Sequence, residues 1–456
     1  MPPPFDTTFP EILGDLRYRP GEVAVAGGGP ALRRWMRFRL PDIAALFVGP
    51  GVLAMLGEND GPSMLSYATS GATYGLGFLL PFIIMTFAAA YVVQEMAMRL
   101  GAVTGRGYGE LVFQRFGRLW GWTPVADLAI TNLITLITEV IAIRVGMAFF
   151  QVPPWAAVIC AVSLVAIGAW GGRYSSWERL AAGLAIFNLL FVAVAILARP
   201  SASEVASSIA TWSPLPKAPL AELLLILASN IGATVTPWML FFQQSASADK
   251  GMTQRDIRRG RQNTAIGAII AAFTGCAALV AATPLFTHHV NMAHYQGGAG
   301  FADALRPIIG APGASLFALG LVEAGAVAML TVSASSAYSM AEIISGARSS
   351  FNASIDQAPV FHTTNVGIAI LAGMIVLIPG TPLLTLSLNA NLLATILMPA
   401  ALVFLIIMSN DREIMGAHAN GRTVTLLGVT ITALIALAGS AYAIVSFLNA
   451  LGIHAF

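Results

Sequence analysis

Long apolar stretches separated by short polar segments run along most of the chain. A helix needs about 20 mainly apolar residues to cross a bilayer. We read eleven stretches near that length, at 41–73, 77–98, 122–149, 154–171, 180–198, 220–246, 263–286, 313–344, 364–380, 383–408 and 423–450. The pattern predicts an all-α polytopic membrane protein with eleven transmembrane helices.

The first and sixth stretches are long, and each is interrupted by polar residues and proline. In the first, two acids, an amide and a hydroxyl surround a Gly-Pro pair between Gly57 and Ser63. In the sixth, Thr236 and Pro237 end a run of small residues that starts at Gly232. Charge and broken backbone are tolerated at membrane depth only where they line a cavity or are buried in protein. The first break is therefore a candidate binding site.

The two breaks lie five spans apart, so the second copy would enter the membrane from the opposite side. Broken spans at corresponding places in two halves indicate an inverted-repeat transporter with its site near the midplane. Taken alone, the second break is more simply a proline kink; paired with the acidic break, it favours a site. The predicted organisation is a tail at 1–40, repeats at 41–198 and 220–408, and an additional helix at 423–450.

Composition and charge support this interpretation. The chain is 57% hydrophobic and 10% charged, whereas soluble domains carry about 25% charged residues. With a cytoplasmic N-terminus, only Arg199, Lys217 and Arg306 of the 24 Lys and Arg residues fall in outside segments, and Arg144 falls within a span. This predicts a multi-pass protein of a bacterial-type inner or plasma membrane, with an extracytoplasmic C-terminus.

Several motifs resemble those of the Nramp divalent-metal transporters. Gly-Pro-Gly-Val-Leu at 49–53, followed by Asp60, resembles the family's first span, and the segment from Gly232 to Pro237 resembles its sixth. Further matching motifs occur in family order at 94–101, 104–106, 316–321 and 409–412. The resemblance covers about 49–420. It implies a LeuT-like 5+5 inverted repeat with broken first and sixth helices, and divalent-metal transport.

The chain departs from the family at the breaks. The first-span motif Asp-Pro-Gly-Asn reads Asp-Gly-Pro-Ser from Asp60 to Ser63. The sixth-span motif Ala-x-x-Met-Pro-His starts at Ala233, with Thr236 in place of the methionine and Trp238 in place of the histidine.

The resemblance places the substrate ligands at Asp60, Ser63, the Ala233 carbonyl and Thr236, with Asn391 where the family has a tenth-span glutamine. All are oxygen donors, which suit magnesium, manganese or calcium, whereas a methionine thioether favours transition metals. A related branch that lacks the methionine is associated with magnesium transport, and the chain resembles that branch at Thr236. We therefore expect Mg²⁺ or Mn²⁺ as the substrate.

Proton coupling is not expected. The family's proton route is thought to use the sixth-span histidine and a third-span acid, where this chain has Trp238 and Leu136. Neither side chain carries protons, so uptake would be driven by membrane potential. Glu139 matches the family's third-span glutamate and, with Asn59 and Trp238, is a candidate pathway or gating residue.

Three further polar residues at membrane depth have open roles. Glu58 is either a second carboxylate of the site or the acid of a salt link. Arg144 needs a partner, for which Glu139 and Glu323 are candidates, and serves either a structural pair or gating. Gln243 either lines the pathway or joins helices.

The sequence thus favours a transporter that moves a divalent cation into the cytoplasm by alternating access. The alternatives are a transporter of an organic or cationic solute on the same fold, and a non-transporting Nramp-like sensor. No His-Glu-x-x-His or Gly-x-Ser-x-Gly motif indicates an enzyme. We expect no cofactor, and we expect the ion and the lipid bilayer, not nucleic acid, as partners. A monomer is compatible with the sequence.

Overall fold

The computed structural model describes residues 47–170, 173–295, 300–344, 350–378 and 383–451, so the tail predicted at 1–40 lies outside them. Within these ranges the chain is helical and has no strand. Its α-helices are Pro50–Gly57, Gly61–Tyr74, Leu79–Thr104, Tyr108–Ala148, Pro154–Trp170, Tyr174–Ala185, Leu190–Leu197, Ala202–Thr211, Leu220–Gly232, Pro237–Asp249, Ile257–Thr287, Gly300–Ile344, Pro359–Val376, Leu383–Asn410, Arg412–Met415 and Arg422–Ala450.

Both predicted helix breaks are present. The first span is divided between Pro50–Gly57 and Gly61–Tyr74, and the sixth between Leu220–Gly232 and Pro237–Asp249. In the described part of the chain, nine helices are long and apolar enough to cross a membrane. One of the nine is the sixth span, counted as a single helix across its break. Pro154–Trp170 is a shorter apolar helix. The number of eleven spans and the repeat boundaries stay predictions.

Some helices lie outside the predicted spans. Ala202–Thr211 follows the fifth span, and the Ser201 side chain caps its first turn. The helix from Gly300 is bent at Gly310, whose φ of 77° is in the left-handed region that favours glycine. A search for apolar stretches of about 20 residues does not detect short helices, because short helices do not cross the bilayer.

Each broken span packs against spans of both halves of the chain, and span numbers here follow the order of the predicted stretches. The seventh span packs against both halves of the first, and the second span packs against both halves of the sixth. The tenth span contacts the first half of the sixth, and the fifth contacts the first half of the first. The third and eighth spans pack along each other. Exchanging the two halves maps the first four of these contacts onto one another in pairs and maps the contact between the third and eighth spans onto itself, as expected for an inverted repeat.

Two glycines permit these close contacts. A Cβ at Gly71 would overlap the main-chain carbonyl of Leu279, and one at Gly232 would overlap that of Asn391. Small residues let membrane helices approach at the backbone. Gly232 therefore brings the tenth span directly against the second break.

Candidate functional site

The first break places the Asp60 carboxylate at the start of a half-helix. The preceding helix ends at Gly57, and Asp60 is extended, with φ −73° and ψ 173°. Its Oδ1 accepts a hydrogen bond from the Ser63 main-chain N–H at 2.8 Å. Pro62 lies in the first helical turn, where its missing N–H leaves no hydrogen bond unmade. The acid is thus an N-cap, favoured by the positive end of the helix dipole.

The second break has the same order of elements. The first half-helix ends at Gly232, Thr236 is extended at φ −112° and ψ 152°, and Pro237 starts the next half-helix. The Thr236 side chain does not cap this helix. Its hydroxyl is therefore free to bond elsewhere.

The two breaks are joined by hydrogen bonds between their side chains and backbone. The Thr236 hydroxyl donates to Glu58 Oε1 at 2.8 Å. The Tyr67 hydroxyl donates to the Ala233 carbonyl oxygen at 3.1 Å. Residues far apart in the chain thus form one buried polar centre between the half-helices.

The third span adds a further acid to this centre. Glu139 Oε2 accepts a hydrogen bond from the Gly61 N–H at 3.0 Å, so this carboxyl group is bound to the residue that directly follows Asp60. Glu58, Asp60 and Glu139 are all buried. None of the ion pairs among the described residues includes any of them. Buried carboxylates normally have a cationic partner or bind a metal.

Several oxygens of the centre remain available to a ligand. Glu58 Oε2, Glu139 Oε1 and the Ser63 hydroxyl are buried without a hydrogen-bond partner among the described residues. Such atoms are uncommon in native proteins unless water or an ion satisfies them. The described residues hold no group of three or more His, Cys, Asp or Glu side chains arranged to bind a metal ion. A bound cation would therefore need hydroxyl or carbonyl oxygens beside the carboxylates.

Asn391 and Trp238 lie close to the breaks. The main chain of Asn391 contacts Gly232, and its side-chain amide nitrogen is buried without a partner in the described part of the chain. The Trp238 ring packs on Gly57, where a Cβ would lie 2.8 Å from the indole. The Trp238 Nε1 also has no partner among the described residues. Trp238 thus fills space that adjoins the first break.

Asn59 has an anchoring contact. Its Nδ2 donates to the Ala271 carbonyl at 2.9 Å and to the Thr274 hydroxyl at 2.5 Å. These bonds attach the first break to the seventh span.

The partners expected for Arg144 were wrong. Arg144 donates to the Val376 carbonyl at 2.9 Å. Glu139 accepts from the first break, as described above, and Glu323 accepts from Asn188 Nδ2 at 2.9 Å. The guanidinium thus bonds to a main-chain carbonyl near the end of the ninth span, and none of the ion pairs among the described residues joins it to either acid. A gating role for Arg144 stays a prediction.

Tyr67 was not among the predicted site residues. It lies on one helical face with Ser63 and Ser70, at spacings of four and three residues. This polar stripe in an apolar span was a usable signal. Gln94, the first residue of the family-like motif at 94–101, was noted for that motif and not as a site residue. It is buried in the second span, and both of its amide atoms lack a partner among the described residues, as do those of Gln243 in the sixth span.

The chain is similar to known transporters. It matches the model of the family "Natural resistance-associated macrophage protein-like" over residues 51–445. The divalent metal cation transporter MntH of Pectobacterium carotovorum is 25% identical over 407 residues, covering 85% of this chain and 91% of that protein. The protein of the same name from Deinococcus radiodurans is 25% identical over 450 residues, covering 94% and 97%.

Solved structures share the fold. The Eremococcus coleocola manganese transporter, in complex with an aromatic bis-isothiourea compound, has a TM-score of 0.72 at 18% identity and covers 91% of this chain and 87% of its own. MhsT in complex with L-phenylalanine has a TM-score of 0.57 at 15% identity, covering 87% and 97%. The predicted LeuT-like fold is confirmed. Since the family's members are transporters and not enzymes, the expectation of no enzymatic activity is confirmed too. The chain belongs to the Natural resistance-associated macrophage protein-like (Nramp) family.

Proposed function

We propose that this protein transports a divalent cation across the membrane by alternating access. The observation that carries the proposal is the junction of the two helix breaks, where Thr236 meets Glu58 and Tyr67 meets Ala233. A ligand bound there would contact both halves of the inverted repeat at once. Rocking of one half against the other would then expose it to either side.

The donor chemistry supports a hard cation, Mg²⁺ or Mn²⁺. The proposed ligands are Asp60, Ser63, the Ala233 carbonyl, Thr236 and Asn391, which all offer oxygen. Both relatives described above are named as divalent metal cation transporters. Thr236 is the residue that would shift preference, because it offers a hydroxyl where the family's methionine offers a soft thioether.

We further propose inward movement driven by membrane potential, without proton coupling, in a protein whose N-terminus is cytoplasmic. The two family positions associated with the proton route hold Trp238 and Leu136, and both side chains are buried and cannot exchange protons. Gln243 lies two turns after Thr236 on the same face of its helix, and its amide, which has no partner among the described residues, can line the exit path.

The test is ion uptake into proteoliposomes that contain the purified protein. We expect the protein to take up Mn²⁺ or Mg²⁺. Asp60→Ala should abolish this uptake, and the control substitution Asp356→Asn, at an exposed acid, should leave it unchanged. Absence of both calorimetric binding and uptake for Mg²⁺, Mn²⁺, Ca²⁺ and Cd²⁺ by folded protein would refute the proposal. It would favour transport of another solute or a sensor role.

A further inference from the structure

Glu58 is held by a side chain of the second break, whereas Asp60 and Glu139 accept from main-chain N–H groups of the first break. It follows the first half-helix, is fully buried, and receives the Thr236 hydroxyl on Oε1 at 2.8 Å. Its second oxygen, Oε2, has no partner among the described residues. The side chain is therefore fixed at one oxygen and open at the other.

Thr236 can hold Glu58 without giving up its own capacity to bind a cation. A hydroxyl has one proton to donate and two lone pairs. Donation to Glu58 uses the proton, which leaves the Thr236 oxygen available as a ligand beside the carboxylate. A methionine thioether has no proton to donate, so methionine at this position would leave Glu58 with neither oxygen satisfied.

From this pairing we infer that Glu58 is a second carboxylate ligand of the transported cation, and that Glu58 and Thr236 act together as a specificity-determining pair. The inference rests on the proposed function. The pair supplies a charged oxygen and a neutral oxygen where one soft ligand would otherwise stand. Two acids, Asp60 and Glu58, then face one ion from the same break, which favours a divalent over a monovalent cation and a hard over a soft one.

The surroundings support a cation as the missing partner of Glu58. Asp60 lies two residues after Glu58 in the same break and is buried as well. Arg144, which lies within the third span, bonds to the Val376 carbonyl instead. Buried negative charges are costly unless they are compensated, and a divalent ion between the carboxylates would compensate both.

The test is calorimetric titration of Mn²⁺ and Cd²⁺ into folded protein in lipid nanodiscs. We expect Glu58→Gln to weaken Mn²⁺ binding by more than the roughly 10- to 100-fold typical of residues that only orient a ligand, with a smaller effect on Cd²⁺. Thr236→Ser keeps the hydroxyl and should retain the wild-type affinity, whereas Thr236→Val should lose Mn²⁺ affinity as Glu58→Gln does. The exposed Glu204→Gln serves as the control.

A double variant examines the pair directly. Thr236→Met alone should bind both ions poorly, because Glu58 loses its donor. Glu58→Gln combined with Thr236→Met should restore Cd²⁺ binding above that of either single variant, since the unsatisfied charge is gone and the thioether can act. Equal Cd²⁺ affinities for the double variant and Thr236→Met would contradict the pairing.

The inference and the proposed function fail differently. If Glu58→Gln binds Mn²⁺ as the wild type does while Asp60→Ala does not, Glu58 is not a ligand and the transport proposal stands. If the folded wild type binds no divalent ion, both fail. Should Glu58→Gln not fold, Glu58→Asp keeps the charge on a shorter side chain. Unchanged Mn²⁺ affinity in that variant would overturn the inference.

Discussion

The Tyr67 hydroxyl donates a hydrogen bond to the main-chain carbonyl of Ala233 across the two helix breaks, at 3.1 Å. This carbonyl was predicted to be a cation ligand, and it already accepts one hydrogen bond from a side chain. A carbonyl oxygen has two lone pairs, so the tyrosine can orient it without excluding an ion.

Tyr67→Phe should destabilise the ion-free protein more than the ion-bound one. Removing the hydroxyl leaves a buried carbonyl unsatisfied, which costs about 1–3 kcal/mol. A bound cation would replace the lost partner. Melting temperatures with and without Mn²⁺ test this: the ion-induced increase should be larger in the variant. An equal decrease in both conditions would show that the Ala233 carbonyl does not meet the ion.

Asp60→Asn should separate capping from ion binding. Asparagine is as good an N-cap as aspartate, so the half-helix that starts at Gly61 should keep its stability. The lost charge should weaken Mn²⁺ binding by more than the roughly 10- to 100-fold typical of residues that only orient a ligand. Calorimetry and thermal melting are the measurements. Asp60→Ala should reduce both properties, because alanine provides neither cap nor ligand.

Gly232→Ala should disrupt the contact between the sixth and tenth spans. The added methyl would overlap the Asn391 carbonyl, and overpacking costs about 1–3 kcal/mol or more. Gly367→Ala is the matched control, because a Cβ there meets nothing within 4 Å. Thermal melting should show a large decrease for the first variant and none for the second. Similar melting temperatures for both would mean that the second break relaxes easily.

Asp249→Asn should loosen the end of the sixth span. The carboxylate accepts from the Tyr338 hydroxyl at 2.7 Å, from the Phe351 N–H at 3.0 Å and from the Ser350 hydroxyl. An amide has only one acceptor oxygen, so at least one donor is left unsatisfied, at about 1–3 kcal/mol. Hydrogen exchange should increase in the last turns before Asp249. The exposed Asp303→Asn should have no such effect.

Ion uptake should follow the membrane potential. Moving a divalent ion inward gains about 4.6 kcal/mol per 100 mV, twice the value for one charge. Imposing an inside-negative potential on proteoliposomes should increase uptake, and a pH gradient alone should not. Substantial acidification of the lumen that depends on the metal would contradict the absence of proton coupling.

The helix breaks were predictable because their causes are local. Gly61, Pro62 and Pro237 interrupt apolar stretches, and Asp60 precedes its proline at capping distance. The short helix Ala202–Thr211 was not predicted, because the predictions were based on apolar stretches long enough to cross a bilayer and this helix is shorter than that.

The sequence by itself therefore determined that the chain forms apolar membrane helices, which two of them are broken, and which polar side chains lie at the breaks. Apolar length, helix breaking and capping depend on neighbours in the chain, so one sequence is enough to read them. Only the tertiary structure decided which donor meets which acceptor: Thr236 with Glu58, 178 residues away, and Arg144 with the Val376 carbonyl rather than an acid. Such pairings depend on how the two halves pack. A charged side chain at membrane depth can hydrogen-bond to any nearby polar group. That group can be a main-chain carbonyl, which no pattern of side chains reveals.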